Sequence, residues 1–278
     1  MKRNITIFGK NGQVGSNLVQ LFKQENNFNV LSYSSQDIDF TDLKKLESFL
    51  NNLEKPDFII NAAAYTNVDG AEDEKDKDII KGEADLADLL NHGAVQIISN
   101  YCAKNNVKLI HYSTDYVFDG SGNEPFESGN TKNLNPLNHY GKTKLDGEKA
   151  IINSGCEYLI LRISWIWDEN PNFKNFYNTI KKLAKEREIL TIIDDQVGSP
   201  TSAKFVAKNT IKIIKNEIFL QEIRHLNNDE FMSWYDFAVK IVEDLRKNGE
   251  DLKVKEINPI KTSDYKTKAV RPLNSRLK

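Results

Sequence analysis

The sequence predicts an α/β fold, a doubly wound parallel sheet with a smaller, partly interleaved C-terminal lobe. Short apolar runs alternate with longer amphipathic stretches through the first two thirds of the chain, the signature of repeated βα units. The first of these runs also opens through closely spaced glycines into a stretch of helical periodicity, and a tight turn between the first strand and its helix is what such a sheet needs.

The apolar runs at 5–8, 29–33, 58–60, 109–112 and 158–163 have the length and composition of buried strands. Residues 14–23 and 95–104 carry apolar side chains at helical spacing. Between them, 69–88 is dense in acids and lysines and reads as a solvated helix or loop. Residues 119–137 collect Gly, Asn, Ser and Pro, which marks a long loop of the kind that carries function. Beyond Trp167 the pattern changes to a helix at 172–187, a strand at 190–193 and a helix at 203–216. The expected division is a cofactor-binding domain at 1–165 and a substrate-binding lobe at 166–278, with 190–216 returning to the main sheet.

Composition narrows the function classes. A hydrophobic fraction of 39% against 28% charged residues is that of a globular chain able to bury a core. The net charge of −2 offers no electrostatic reason for nucleic-acid binding. No apolar run approaches the roughly 20 residues that span a bilayer, and the N-terminus turns glycine-rich too soon for a secretory signal. Cys102 and Cys156 form neither a CxxC nor a metal-ligand spacing, so a reducing, cytoplasmic setting is expected. The histidines, His92, His111, His139 and His225, are not spaced as metal ligands either, and are taken as structural.

The run at 5–8 leads into Gly9, Lys10, Asn11, Gly12, Gln13, Val14 and Gly15, a G-x-x-G-x-x-G turn opening a helix. Gly9 permits the turn, Gly12 lets backbone approach a pyrophosphate, and Gly15 lets the helix pack closely, while the helix N-terminus favours the ligand's negative charge. This is the pattern of a dinucleotide-binding, or Rossmann, domain. An acid at the end of the second strand would bond the ribose hydroxyl of NADH. Ser34, Ser35 and Gln36 stand there instead; two hydroxyls tolerate a 2′-phosphate and favour NADPH, with NADH left open because no arginine marks the site.

Tyr140 and Lys144 lie at i and i+4, hence on one helix face. A phenol ordinarily titrates at about 10; a neighbouring ammonium favours the phenolate and makes the pair a usable acid–base group. Lys144 can also bond a nicotinamide ribose. The run at 109–112 delivers Ser113, Thr114 and Asp115 to a strand end, where ligands of open α/β sheets sit, and a hydroxyl there can steady a carbonyl oxygen while Tyr140 donates its proton.

Taken in order, GKNGQVG from Gly9, NAAAYTNVDGAE from Asn61, STDYVFDG from Ser113, YGKTKLDGE from Tyr140, RISW from Arg162, DQVGSPT from Asp195 and RPLNS from Arg271 span nearly the whole chain. In these segments the chain resembles the dTDP-4-dehydrorhamnose reductase family of extended short-chain dehydrogenases/reductases. The resemblance implies reduction, by a nicotinamide cofactor, of the C4 keto group of dTDP-4-dehydrorhamnose to give dTDP-L-rhamnose. It implies Thr114, Tyr140 and Lys144 as the catalytic trio. It places Asn11, Gly12, Gln13 and Val14 on the pyrophosphate, Asp39 and Phe40 beside the adenine, and Ala62, Ala63, Ala64 and Tyr65 along the ribose and nicotinamide path. Thr66, Val68, Tyr116 and Trp165 would contact the sugar, with Arg271 on the diphosphate.

Three departures from the family pattern carry expectations of their own. Some members dimerise through magnesium held by acids; Asn17 and Lys204 stand where those acids would be, so no metal and no magnesium-bridged dimer is expected, and a homodimer of another kind stays open. The charged stretch between Asp73 and Leu90 is longer than the pattern and is expected to disturb the adjoining helix. The family continues into a further helix after RPLNS whereas this chain ends at Lys278, which is expected to weaken the sugar lobe. A reductase or epimerase acting on another nucleotide sugar, and a non-catalytic NADP-binding regulatory subunit of the kind that partners methionine adenosyltransferase, remain alternatives.

Overall fold

The computed structural model describes residues 2–75, 84–129, 134–216 and 221–278. The strand β1 (Arg3–Phe8) is followed by helix α1 (Gln13–Phe22), β2 (Phe28–Tyr33), α2 (Leu43–Asn51), β3 (Phe58–Asn61) and α3 (Val68–Glu74). Then come α4 (Leu86–Asp88), a π-helical turn at Leu89–Gly93, α5 (Ala94–Asn105), β4 (Lys108–Thr114), α6 (His139–Ser154) and β5 (Tyr158–Ile163). The C-terminal part holds β6 (Ile166–Trp167), α7 (Phe176–Glu186), β7 (Ile189–Ile193), β8 (Val197–Gly198), β9 (Thr201–Ser202) and α8 (Ala203–Lys215). It continues with β10 (Glu222–His225), β11 (Met232–Ser233), α9 (Trp234–Lys247), β12 (Glu256–Ile260) and β13 (Asn274–Ser275).

Six strands form the central sheet in the order β10-β5-β4-β3-β1-β2, and every pair in it is parallel. Parallel strands are covered on both faces, so their sequences are apolar throughout; all four residues of β3 are buried. On one face, α1 presents Val14, Leu18 and Phe22 at successive turns against Val206, Ala207, Ile211 and Ile214 of α8. On the other, α2, α5 and α6 pack Leu46, Leu50, Val95, Ile98 and Ile151 over Ile59 and Ile160. Burying such aliphatic side chains stabilises by roughly 1.5–3 kcal/mol each, which is ample to hold the strand ends in register.

The segment 190–216 divides. Its helix, α8, does cover the main sheet, but β7 pairs with β12 in a separate two-stranded sheet over the lobe core of Ile180, Leu190, Phe237 and Ile241. The sixth strand of the central sheet is β10, whose residues EIRH are all only partly buried; a short, half-exposed edge strand lacks the apolar run that marks the others.

The acids of 69–88 are only in part a solvated face where the structure describes them: Asp69, Asp73 and Asp88 keep exposed side chains, but others are drawn inward. Glu72 accepts the backbone N–H of His139 at 2.7 Å, Asp85 bonds the His139 ring at 2.6 Å, and Glu74 accepts the N–H of Leu86. Asp69 and Asp73 pair with Arg271 and Lys268. The described part of the segment therefore braces the start of α6, and the adjoining helix α5 is preceded by the π-helical turn at Leu89–Gly93; residues 76–83 lie outside the described residues. The long loop at 119–137, described except for 130–133, is tied to the chain's last residues. Phe126 exchanges backbone bonds with Arg276 and Lys278, Asn274 donates to the carbonyls of Ser121 and Glu124, and Leu277 is fully buried beside Phe118 and Phe126.

Candidate active site

The site begins where β1 and β3 part company. The chain leaves β1 toward β2 on one side and leaves β3 toward β4 on the other, so a crevice opens between the two loops at the strands' C-terminal ends. Gly9 has φ +84°, a left-handed conformation that side chains resist, and a Cβ on it would lie 2.6 Å from the Ala62 backbone. A Cβ on Gly15 would collide with the Gly9 carbonyl, which explains the close seating of α1. Gly12 caps α1 without any side-chain hydrogen bond, leaving the helix N-terminus free to receive an anion. This loop geometry fits a dinucleotide pyrophosphate.

From that crevice a cleft of about 700 Å³ runs to the C-terminal lobe. The cleft brings together Gly12, Gln13, Val14, Ala62, Ala64, Thr66, Val68, Ser113, Thr114, Tyr116, Tyr140, Lys144 and Trp165, all of them expected from the sequence. Other residues expected at the site do not line it. Ala63 donates its N–H to Asn61, and Tyr65 exchanges backbone bonds with the buried Asn91 side chain. The Phe40 ring is buried in the core against Phe8 at 5.1 Å, and the Asp39 carboxylate is taken up by the N–H and hydroxyl of Thr41. Gly9 and Asn11 shape the loop behind Gly12. Arg271 pairs with Asp69 at 2.7 Å, although its Nη1 is buried with no partner.

The end of β2 also differs from expectation. The Ser34 hydroxyl is not free: it and the Ser34 N–H donate to Asp37 Oδ2 at 2.8 and 2.7 Å, while Ser35 stays exposed. Lys10, from the glycine loop, reaches the same Asp37 oxygen at 2.8 Å. The Lys10 bond, helped by those from Ser34, holds the Asp37 carboxyl down at about 2. The charged groups at the end of β2 are thus an ion pair, Lys10 with Asp37; sequence reading did not foresee the pair because Lys10 belongs to the turn after β1 and not to β2.

At the foot of the cleft, β4 presents Ser113, Thr114 and Asp115, all buried. Thr114 donates to Asp115 Oδ1 at 3.1 Å and lines the same cleft as Tyr140, whose ring meets Tyr116 edge-on at 5.7 Å. The start of α6, which sets Tyr140, is fixed by the Asn138 cap on the Gly141 N–H at 2.8 Å. Ser113 Oγ and Asp115 Oδ2 are buried without a hydrogen-bond partner, and such orphans in a cleft are groups in want of a ligand. Burial pushes the Asp115 carboxyl up to about 7, against opposing bonds from Ser275 and Thr114.

The expected influence of Lys144 on Tyr140 is corrected. Burial raises the Tyr140 phenol above the usual tyrosine range, the Thr114 hydrogen bond opposing it, so the phenol is held protonated. Lys144 is itself lowered to about 8 by burial, with Glu148 acting the other way. Its Nζ donates to the Tyr112 carbonyl at 2.6 Å and lies 3.1 Å from His111 Nε2. Glu148 is bound at both oxygens by the buried Arg162, at 2.9 and 2.7 Å.

Sequence reading brought Asp115 to the strand end without giving it a role and missed Phe176 and Trp234, which line the cleft with Trp165. Phe176 lies against Trp234 at 4.4 Å. Nothing local in the sequence marks Trp234, because its partner comes from the end of β5, far along the chain. Asn17 donates to Asp168 at 2.6 Å, and Lys204 is exposed in the first turn of α8.

The family described as RmlD substrate binding domain matches residues 2–278. A dTDP-4-dehydrorhamnose reductase of Salmonella typhimurium is 39% identical over 99% of this chain and 89% of its own. The crystal structure of a Clostridium acetobutylicum dTDP-4-dehydrorhamnose reductase superposes with a TM-score of 0.86 at 33% identity, covering 99% of this chain and 90% of that one. A Bacillus anthracis dTDP-4-dehydrorhamnose reductase in complex with NADP superposes at 0.87 with 30% identity, covering 100% and 91%. With the strand order, the glycine loop and the cleft shared by Thr114, Tyr140 and Lys144 already in place, these likenesses over the full chain establish that it belongs to the dTDP-4-dehydrorhamnose reductase family.

Proposed function

We propose that the protein is a nicotinamide-dependent reductase that converts the C4 keto group of dTDP-4-dehydrorhamnose to the alcohol of dTDP-L-rhamnose. The observation that carries this reading is the gathering of Ser113, Thr114, Tyr140 and Lys144 in the same cleft as the open N-terminus of α1. A bound nicotinamide supplies the hydride. Gly12, Gln13 and Val14 hold the pyrophosphate at the helix N-terminus, and Ala62 and Ala64 border the path to the reacting end. Thr114 and Ser113 present hydroxyls to the carbonyl oxygen, which steadies charge as it develops there. Tyr140, kept protonated by burial, gives its proton to that oxygen, and Lys144 sits one turn along the same helix face.

The lobe side of the cleft takes the sugar nucleotide, with Trp165, Trp234 and Phe176 as its apolar wall and Thr66, Val68 and Tyr116 lining the same cleft; Arg271 reaches the diphosphate only by leaving Asp69. NADPH is the favoured donor because Lys10 stands beside the end of β2, where a 2′-phosphate would lie. The amide of Asn17 and the ammonium of Lys204, neither a ligand that magnesium favours, support an assembly without a magnesium bridge. The two buried free thiols, Cys102 and Cys156, support a cytoplasmic setting, and among the described residues no helix is long and apolar enough to cross a membrane.

The test is consumption of NADPH with dTDP-4-dehydrorhamnose, followed by loss of reduced-nicotinamide absorbance, with the product identified by NMR. Formation of dTDP-L-rhamnose is expected. Absence of turnover by protein that demonstrably binds NADPH would overturn the reading.

A further inference from the structure

The glycine turn is joined to the smaller lobe by a closed circuit of hydrogen bonds that the proposed chemistry does not use. Asn175 Nδ2 donates to the Gln13 side-chain oxygen at 2.8 Å and to the Asp168 carbonyl at 2.9 Å. Asn17 Nδ2 donates to the Asp168 carboxylate at 2.6 Å and to the Gln13 carbonyl at 2.8 Å. Gln13 and Asn17 belong to the first two turns of α1, whereas Asp168 follows β6 and Asn175 precedes α7.

The chemistry of the groups fixes the direction of each bond. A side-chain amide nitrogen carries two N–H groups and accepts nothing. Both protons of Asn17 and both of Asn175 are taken by oxygens of Gln13 and Asp168. The Asn175 amide is oriented independently, because its oxygen accepts the Asn178 N–H at 2.9 Å and so caps α7. One side chain therefore holds the start of α7 and the side chain of Gln13 together.

The two ends of this circuit lie in the two halves of the cleft. Gln13 follows Gly12 at the open N-terminus of α1, and Phe176, the first residue of α7, belongs to the apolar wall with Trp165 and Trp234. Gln13, Asn17, Asp168 and Asn175 are all half-buried, so water competes for their bonds. A pyrophosphate that draws on the N–H groups of the first turn of α1 fixes Gln13, and a fixed Gln13 favours Asn175 in its capping position.

We propose that Asn175 is a positioning residue that couples the glycine turn to the sugar half of the cleft, so that cofactor and sugar nucleotide favour each other's binding. Whichever ligand arrives first orders Gln13, Asn175 and the start of α7, and the second meets a site already ordered. The coupling is reciprocal. It rests on the reading of the cleft as the site of a dinucleotide and a sugar nucleotide.

Asn175→Ser keeps a side-chain oxygen able to cap α7 but is too short to reach Gln13. The full chain is titrated calorimetrically with dTDP-L-rhamnose, with and without saturating NADP+. In the wild-type protein NADP+ should tighten the sugar nucleotide by about fivefold or more, and in Asn175→Ser by less than about twofold. An equal gain in the two proteins would overturn the proposal. So would an equal weakening of both ligands measured singly, the result that a merely structural role gives.

Amide hydrogen exchange judges the contact without any sugar. NADP+ should slow exchange at Asn178 and Thr179, whose N–H groups bond to Asn175, in the wild-type protein and not in Asn175→Ser. Exchange that NADP+ leaves unaltered in the wild-type protein would overturn the proposal as well. Asn17→Leu opens the circuit on its other side and should lower the coupling too. The double variant should lose no more than either single one, because one break opens the whole circuit; additive losses would show two independent contacts and count against it. If Asn175→Ser does not fold, Asn17→Leu decides by the same titration and exchange. Should the wild-type protein reduce no keto sugar, the reductase reading fails while the exchange result still judges Asn175.

Discussion

Trp165 lies flat on Trp234, with ring centroids 3.4 Å apart and 3° between the planes. The pair joins the end of β5 to the start of α9, so it ties the smaller lobe to the main sheet at the wall of the cleft. Trp165 has φ +48°, a left-handed conformation that costs a non-glycine residue about 1–3 kcal/mol. The stack and the Thr201 N–H on the Trp165 carbonyl at 3.2 Å hold it there. Trp234→Ala should release the indole of Trp165. An aromatic pair is worth about 0.5–1.5 kcal/mol beyond its buried area, so the KM for the sugar nucleotide should rise by about tenfold while cofactor affinity stays within a factor of about two. Equal losses for both ligands, measured by steady-state kinetics and NADPH fluorescence titration, would show that the pair supports the whole fold and not the sugar half of the cleft.

Tyr140→Phe removes one oxygen from a residue whose position α6 fixes through the Asn138 cap. Since the phenol acts on a proton and not on the dinucleotide, kcat should fall by at least about a hundredfold with NADPH affinity nearly unchanged. Retention of more than a few per cent of the wild-type rate would mean that another group, with the buried Asp115 the first to examine, delivers the proton.

Lys10 and Asp37 meet at the end of β2, where the adenosine ribose of a dinucleotide would lie. A 2′-phosphate must draw Lys10 away from Asp37, whereas a ribose hydroxyl need not. Lys10→Gln should therefore raise the KM for NADPH by roughly ten- to thirtyfold, the worth of one charge-assisted hydrogen bond, and alter the KM for NADH little. Asp37→Asn should move the ratio the other way, toward NADPH. Kinetics with both cofactors at two salt concentrations provide the check, because an exposed charge contact weakens as salt rises.

The sheet was legible because its strands are buried on both faces and so stand out as apolar runs. The site was legible where its groups are neighbours in sequence, as in the glycine turn, in Ser113 and Thr114, and in Tyr140 and Lys144 on one helix face. Pairing was not. Residues 189–193 look like any other strand, and only β12 reveals that they belong to the smaller lobe. The acids of 69–88 resemble a solvated surface because their partners, His139, Lys268 and Arg271, are distant in the chain. His111 shows the same limit most clearly. Nothing near it in the chain marks the neighbours that the fold gives it, Asn61 of β3 at one ring nitrogen and Lys144 of α6 at the other.

Asp115 makes the stability of the fold depend on pH in a calculable direction. Burial raises its carboxyl from the ordinary 3.8 to about 7. At pH values below both, the group is protonated folded and unfolded, and contributes nothing to the dependence. Between them the unfolded chain has released its proton while the folded chain keeps it, so rising pH favours unfolding. Above about 7 both forms are charged and the penalty is complete. Asp115→Asn carries no such charge, so its Tm should gain on the wild type as pH rises from 4 to 7 and hold a constant lead beyond that. A lead that is the same at pH 4 and pH 7 would place the carboxylate in contact with solvent or a cation, and would remove the orphaned Oδ2 from the groups available to a ligand.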